Sequence, residues 1–327
     1  MVAMRQSICE EIRTSVLGFG CGSVLGRIGR RASLRAMNIA WDSGITLFDT
    51  APSYGYGEAE AVLGEFLRGK REQVIVSTKF GIAPHKQSPL TRIAVPVART
   101  AMHLPGVRSL MRRGRNREAA LGQFTVAGLR DSLEASLRQL RTDRVDVLFL
   151  HGATASAMYQ QDLMAELEVQ VRAGKVLRAG LYASAEVIAA CMAAGSTTLS
   201  AMQFGADLFD PVVARITEQN QRGMLLIANH PFGSEQRVAR LKTALAALSS
   251  DATVPADLRE KLRGGEWQMV IEALFGIILT GANTHALVFS MMRPDHLRAN
   301  AKAIENNRFS DADLGLIRRQ LLNSRGT

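Results

Sequence analysis

Short apolar runs alternate along this chain with stretches that are apolar on one helical face only. The runs are four to eight residues long and rich in Val, Ile, Leu and Phe, which predicts strands; the longer stretches between them carry the helical period. Val16 to Gly22 reads as a first strand with a glycine-rich exit, followed by a helix from about Ser33, its predicted N-cap, to Asp42. Ile45 to Asp49 and Gln73 to Lys79 are the second and third strands, with a helix from about Glu58 to Leu67 between them. Thr125 is placed to cap a helix whose buried stripe is Leu129, Leu133, Leu137 and Leu140. Arg144 to His151 is the fourth strand. The rhythm continues with a helix over Leu163 to Arg172, a strand over Val176 to Tyr182 and a helix over Ala185 to Ala194. A strand from Leu199 to Phe204, a helix opened by Pro211 and running to about Gln221, and a strand from Met224 to Asn229 come next. An extra helix over Arg237 to Leu248 precedes one over Glu266 to Leu279. Ala286 to Ser290 is the eighth strand, Pro294 to Asn306 the eighth helix, and Ser310 caps a last helix over Asp311 to Leu322.

Strands that alternate with helices pair in parallel. Eight such units predict closure into a (β/α)8 barrel, with Met4 to Ser15 as a small hairpin before it and the last helix as an addition after it. The expectation is a single domain over residues 1–327, since a barrel of this kind uses that length as one unit. In such barrels chemistry gathers at the carboxyl ends of the strands.

Composition changes this picture in one place. The net charge is +10, and it is concentrated. Between Pro84 and Ala120 there are eight basic residues, Lys86, Arg92, Arg99, Arg108, Arg112, Arg113, Arg115 and Arg117, against one acid, Glu118, so this stretch holds +7 of the total. It reads as an insertion after the third strand. Three readings stay open: a solvated loop, a lid over the pocket, or a dock for an anionic substrate or an acidic carrier protein. No basic face interleaved with aromatics is present, so nucleic acid is not an expected partner.

An apolar fraction of 47% supplies a large core, and the apolar run over Met269 to Phe289 is broken by Glu272, Asn283 and His285. No membrane span is expected. Met1 to Glu11 lacks the apolar region of a signal peptide. Three widely spaced cysteines, Cys9, Cys21 and Cys191, argue for a reducing compartment, and the expected location is cytoplasmic. His85, His103 and His285 have no ligand-like partners at helical spacing, so no metal site is expected. Oligomeric state is not legible.

Four residues at strand exits can do chemistry together. Asp49 ends the second strand and Tyr54 lies in the loop beyond it; Lys79 ends the third strand and His151 the fourth. A phenol is a poor acid at neutral pH, and a neighbouring ammonium lowers its pKa. Lys79 is placed to supply that ammonium, Asp49 to hold it charged, and His151 to orient an oxygen or share the proton. The set makes a general acid aimed at a carbonyl oxygen. A hydride must then come from a nicotinamide, because no side chain provides one. Each residue alone has a plain structural reading as a loop cap, rim charge, packed ring or core histidine. The glycines of Leu17-Gly18-Phe19-Gly20-Cys21-Gly22 let backbone approach a ligand, with Gly20 at the strand exit. They do not form the dinucleotide fingerprint, because Ser23 and Leu25 stand where its third glycine belongs.

The stretches D-T-A-x-x-Y-G at 49–55, G-x-x-E-x-x-L-G at 57–64 and S-T-K-F-G at 77–81 closely resemble the aldo-keto reductases. So do residues 133–146 and the following His151. The resemblance implies a TIM barrel and NADPH (with NADH not excluded) bound across the rim without a Rossmann motif. It implies Tyr54 as acid, Asp49 and Lys79 as its tuners, and His151 as the orienting group for a small carbonyl substrate. It further points to Gln203 beside the nicotinamide, to Ser290, Arg293 and His296 near the adenosine phosphate, and to Asn300 near adenine. A plain surface face is the other reading of Arg293 and His296.

The sequence also departs from the family. Tyr182 and Ala183 stand where Ser-Asn is usual, Asn229 where an aromatic is usual, and Phe289-Ser290 where Pro-Gly is usual. The catalytic set is intact and the nicotinamide cradle is altered. A nucleotide-sensing or scaffold protein on the same barrel, with little turnover, is therefore the alternative expectation.

Overall fold

A computed structural model describes residues 4, 6–26, 28–83, 124–218, 220, 223–279 and 284–323. The basic stretch at 84–120, and with it the extent of the single domain over 1–327, lies outside the described residues. Strands β1 (Gln6–Cys9) and β2 (Ile12–Ser15) form an antiparallel hairpin. Eight parallel strands then close into a barrel: β3 (Leu17–Gly20), β4 (Leu47–Asp49), β5 (Ile75–Phe80), β6 (Val145–His151), β7 (Val176–Tyr182), β8 (Leu199–Gly205), β9 (Leu225–Asn229) and β10 (Ala286–Phe289). β10 pairs back onto β3, so the sheet has no edge. The expected fold class is observed, hairpin and terminal helix included.

Helices wrap the barrel in chain order: α1 (Arg30–Asp42), α2 (Ala59–Phe66), α3 (Val126–Leu140), α4 (Gln161–Arg172), α5 (Ala185–Ala194) and α6 (Pro211–Glu218). They continue with α7 (Glu235–Ser250), α8 (Ala256–Lys261), α9 (Trp267–Leu279), α10 (Pro294–Glu305) and α11 (Asp311–Asn323). Thr125 caps α3 as expected, accepting from the Gly128 N–H, and Ser310 Oγ accepts from Asp313 N–H at 3.2 Å. Ser33 does not cap α1. Gly29 takes that place in extended conformation, while the Ser33 hydroxyl sits inside the helix and accepts from the Leu25 N–H at 3.3 Å. Helix α8 was not expected, because six residues are too few to show a helical period.

Side-chain parity along the strands positions everything that follows. Successive residues of a strand point to opposite faces. Leu47, Val147, Phe149, Ala201, Leu225, Ile227, Ala286 and Val288 pack with one another inside the barrel. Phe48, Val76, Leu148, Leu150, Met202, Phe204 and Ala228 pack outward under the helices. Residues that share parity with the inner set and lie one layer nearer the carboxyl ends are Asp49, Lys79, His151, Gln203 and Asn229. The other mouth is shut by the hairpin, whose Cys9 and Ile12 join the interior cluster.

Candidate active site

Strand parity therefore brings Asp49, Lys79 and His151 into one bowl, and the loop after β4 adds Tyr54. That loop turns back at Gly55 and Tyr56, both with positive φ (57° and 59°). A Cβ on Gly55 would lie 2.9 Å from the Val24 carbonyl oxygen, so the close approach calls for glycine. The turn holds the Tyr54 ring with its centroid 4.9 Å from Lys79 Nζ and 6.1 Å from the His151 ring.

Lys79 is the most enclosed charge in the bowl, at 1% exposure. Its Nζ donates to Asp49 Oδ2 at 2.6 Å and to the Thr50 carbonyl at 2.8 Å. Asp49 is fixed in turn by Ser77 Oγ, which donates to Oδ1 at 2.7 Å, and by Gln203 Nε2 at 3.2 Å. A buried carboxylate with several donors holds its orientation as well as its charge. Ser77 was not singled out in the sequence, although its position two residues before Lys79 put it on the same face of the strand.

The titration of the two proton-handling groups follows from burial. Desolvation, with Asp49 and the buried Cys21 beside it, pushes the Tyr54 phenol well above its ordinary value. Lys79 Nζ stands 4.9 Å from the ring centroid, and burial is the largest influence on the phenol. The phenol thus keeps its proton across the working range, as a proton donor must. His151 is pushed the other way, down to about 3, by burial and then by the Lys79 charge. Its imidazole is neutral at physiological pH, so it takes part through a hydrogen bond and does not carry charge. Among the described residues, Thr50 Oγ1, His151 Nδ1 and Gln203 Oε1 are buried without a hydrogen-bond partner, the last two on residues at strand ends of the bowl. Two orphaned polar atoms facing one bowl mark a place for a ligand.

Three of the remaining expected contacts lie at the exit of β10. Ser290 Oγ donates to the Gly20 carbonyl at 3.1 Å, joining β10 to β3. A Cβ on Gly20 would stand 3.0 Å from the Phe289 carbonyl carbon, so glycine lets the two strand ends meet. Arg293 is the N-cap residue of α10, and both it and His296 in the first turn are exposed. Arg293 pairs with Asp295 in a fork, Nε at 3.2 Å and Nη2 at 2.5 Å. Asn300 is different: at 5% exposure it is buried along α10.

A sequence model of the Aldo/keto reductase family matches residues 16–235. The chain belongs to the aldo/keto reductase family. The matched span contains Asp49, Tyr54, Lys79, His151 and Gln203 and ends before Ser290. Among relatives of this member, the D-threo-aldose 1-dehydrogenase of a Pseudomonas species is 36% identical over 140 residues, covering 41% of this chain and 39% of that one. The aldo-keto reductase YhdN of Bacillus subtilis is 31% identical over 146 residues, covering 43% and 35%. The chain thus spans well under half the length of these relatives. Among solved structures, the holo form of aldo-keto reductase AKR11C1 from Bacillus halodurans superposes with a TM-score of 0.69 at 21% identity, over 98% of this chain and 96% of that one. That likeness supports the fold.

Proposed function

We propose that the protein reduces an aldehyde or ketone with NADPH, or oxidises the alcohol in reverse, with Tyr54 as general acid. The observation that carries this reading is the bowl itself: a protonated phenol, an ammonium pinned by a buried carboxylate, and a neutral imidazole within one small space. Tyr54 gives its proton to the carbonyl oxygen as that oxygen gains negative charge. Lys79, held by Asp49, stabilises the phenolate left behind. His151 donates its N–H to the same oxygen and fixes its direction. Bulk water returns the proton to Tyr54. When bound, a reduced nicotinamide supplies the hydride.

The residues fit such a cofactor at both ends. Gln203 Oε1 is an unpaired acceptor for a carboxamide N–H. Arg293 and His296 stand at the first turn of α10, where a helix N-terminus favours a phosphate, with Ser290 beside them. Asn300, buried further along the same helix, completes the set toward the adenine. A substrate with an anionic handle, or one carried on an acidic protein, suits the charge of the 84–120 stretch that follows β5.

NADPH consumption with a panel of aldehydes and ketones tests the assignment. Wild type should turn over, and Tyr54→Phe should lose about 10²- to 10⁴-fold in kcat/KM. Full activity in Tyr54→Phe removes Tyr54 as the acid. Tight nucleotide binding without turnover would favour the sensing role instead, a reading supported by the altered residues Tyr182, Ala183 and Asn229.

A further inference from the structure

Tyr182 ends β7 beside His151, the residue it pairs with at the end of β6. The backbone is pinned at the same level, where the Gly152 N–H donates to the Tyr182 carbonyl at 2.8 Å. Residues paired across two strands turn their side chains to the same face of the sheet. The Tyr182 ring accordingly packs with the interior cluster of the barrel and lies against the His151 ring, the centroids 5.1 Å apart and the planes 31° from parallel. Tyr54 meets the same imidazole at 6.1 Å with the planes at 87°. Both phenol rings also stand over Lys79 Nζ, at 4.9 Å for Tyr54 and 5.7 Å for Tyr182, within reach of a ring face that attracts a cation. His151 thus has two aromatic neighbours, while its buried Nδ1 has no hydrogen-bond partner among the described residues. A histidine ring is ordinarily aimed by the bond that its second nitrogen makes. At Nδ1 that bond is missing, and packed rings restrain the imidazole in its place.

We propose that Tyr182 is a positioning residue for His151: its ring, lying against the imidazole, holds the His151 N–H in line with the carbonyl oxygen that Tyr54 protonates. The inference rests on the carbonyl-reductase reading given above. It gives a use to one departure from the family pattern, the tyrosine that stands where serine is usual. The contact is made by the ring, so phenylalanine should serve and an aliphatic side chain should not. Ring pairs prefer defined geometries, and leucine fills the space without imposing one. An imidazole free to turn spends part of its time aimed away from the oxygen, and the chemical step slows in proportion. That loss belongs to the transition state and not to capture of the substrate, so it falls on kcat and leaves KM nearly unchanged. A ring that only filled the bowl would be replaced by leucine at no cost to the chemical step.

Wild type, Tyr182→Phe and Tyr182→Leu of the full-length protein separate the two roles. With NADPH and a carbonyl compound that the wild type reduces, single-turnover stopped flow reads the chemical step apart from product release. Tyr182→Leu should slow that step about tenfold with KM within about twofold of wild type, and Tyr182→Phe should stay within about twofold in both. Proton NMR adds a reading that does not depend on turnover. The His151 ring protons, assigned with His151→Gln, should be displaced by the neighbouring ring in wild type and Tyr182→Phe and should move back towards the ordinary position of a neutral histidine in Tyr182→Leu. A chemical step as fast in Tyr182→Leu as in wild type overturns the proposal and leaves carbonyl reduction standing. An equal loss in Tyr182→Phe overturns it too, since the effect would then belong to the hydroxyl. Thermal unfolding checks that each variant is folded. If Tyr182→Leu is not, undisplaced His151 ring protons in wild type and Tyr182→Phe are enough to overturn the proposal. Absence of turnover by the wild type on the whole carbonyl panel sinks both this inference and the reading beneath it.

Discussion

Each mouth of the barrel holds a buried cation, and the two differ in what is left unpaired around it. At the amino end Arg178, 3% exposed, is enclosed by the hairpin. It donates to Glu11 Oε1 at 2.8 Å, to Glu10, and to the Cys9 carbonyl at 3.4 Å. At the carboxyl end Lys79 is as deeply buried and pairs as tightly with Asp49, but His151 Nδ1 and Gln203 Oε1 beside it have no partner among the described residues. A buried ion pair is by itself poor evidence of function. What distinguishes the two mouths is that one is closed with its charges satisfied, while the other keeps polar atoms waiting.

If this contrast is right, substitutions at the two cations should separate activity from stability. The largest effect should come from Lys79→Met, which keeps most of the volume and removes the charge. It should lower kcat by about a hundredfold or more while the protein still folds; retained turnover would make the two mouths equivalent. Arg178→Met should do the reverse. It should reduce stability by about 2–3 kcal/mol in denaturant titration, because charged hydrogen bonds are lost, and leave the kcat of the folded protein unchanged. A fall in kcat at constant stability would contradict a purely structural role for the lower mouth.

The pH dependence of stability sharpens the same contrast. Unfolded, His151 takes up a proton near its ordinary value of 6.5; folded, it does so only at about 3. In that window the unfolded chain holds more protons, so stability is present above about 6.5 and is lost as pH falls towards 3. His151→Gln should flatten this loss by an amount on the order of 1–2 kcal/mol at pH 5. Parallel stability curves for the two proteins would show that the histidine is not held neutral. The smallest effect is expected at the exposed end of the site. Arg293→Ala should weaken NADPH by about tenfold and NADH much less, since the fork to Asp295 must open before a phosphate can be held. Equal weakening of both nucleotides would remove Arg293 from phosphate recognition.

How much of this was legible depends on the range of the interactions concerned. Thr125 and Ser310 were readable as caps because a cap is a contact over three residues. Ser33 was misplaced because its hydroxyl is recruited by the Leu25 amide across a loop, and no local rule contains that contact. Asp49, Lys79 and His151 were readable as rim residues from their positions at strand exits. The titration of Tyr54 and His151 was not: the raised phenol and the depressed imidazole come from burial, which depends on what the rest of the chain places over them. Tyr182 and Asn229 stood out in the sequence only as departures from a pattern. That the Tyr182 ring stands 5.1 Å from the His151 ring is information carried by the pairing of two strands.

The sequence by itself determined the alternation of strands and helices, the inward parity of Asp49, Lys79, His151 and Gln203, and the chemical types available at the rim. These follow from periods of two and 3.6 residues and from side-chain chemistry, which act over a few positions of chain. Closure of the sheet decided the rest. Only when β10 meets β3 do residues far apart in the chain face one cavity, exclude water from one another, and shift each other's protons; solvation and distance are properties of the assembled barrel, and no segment of the chain carries them alone.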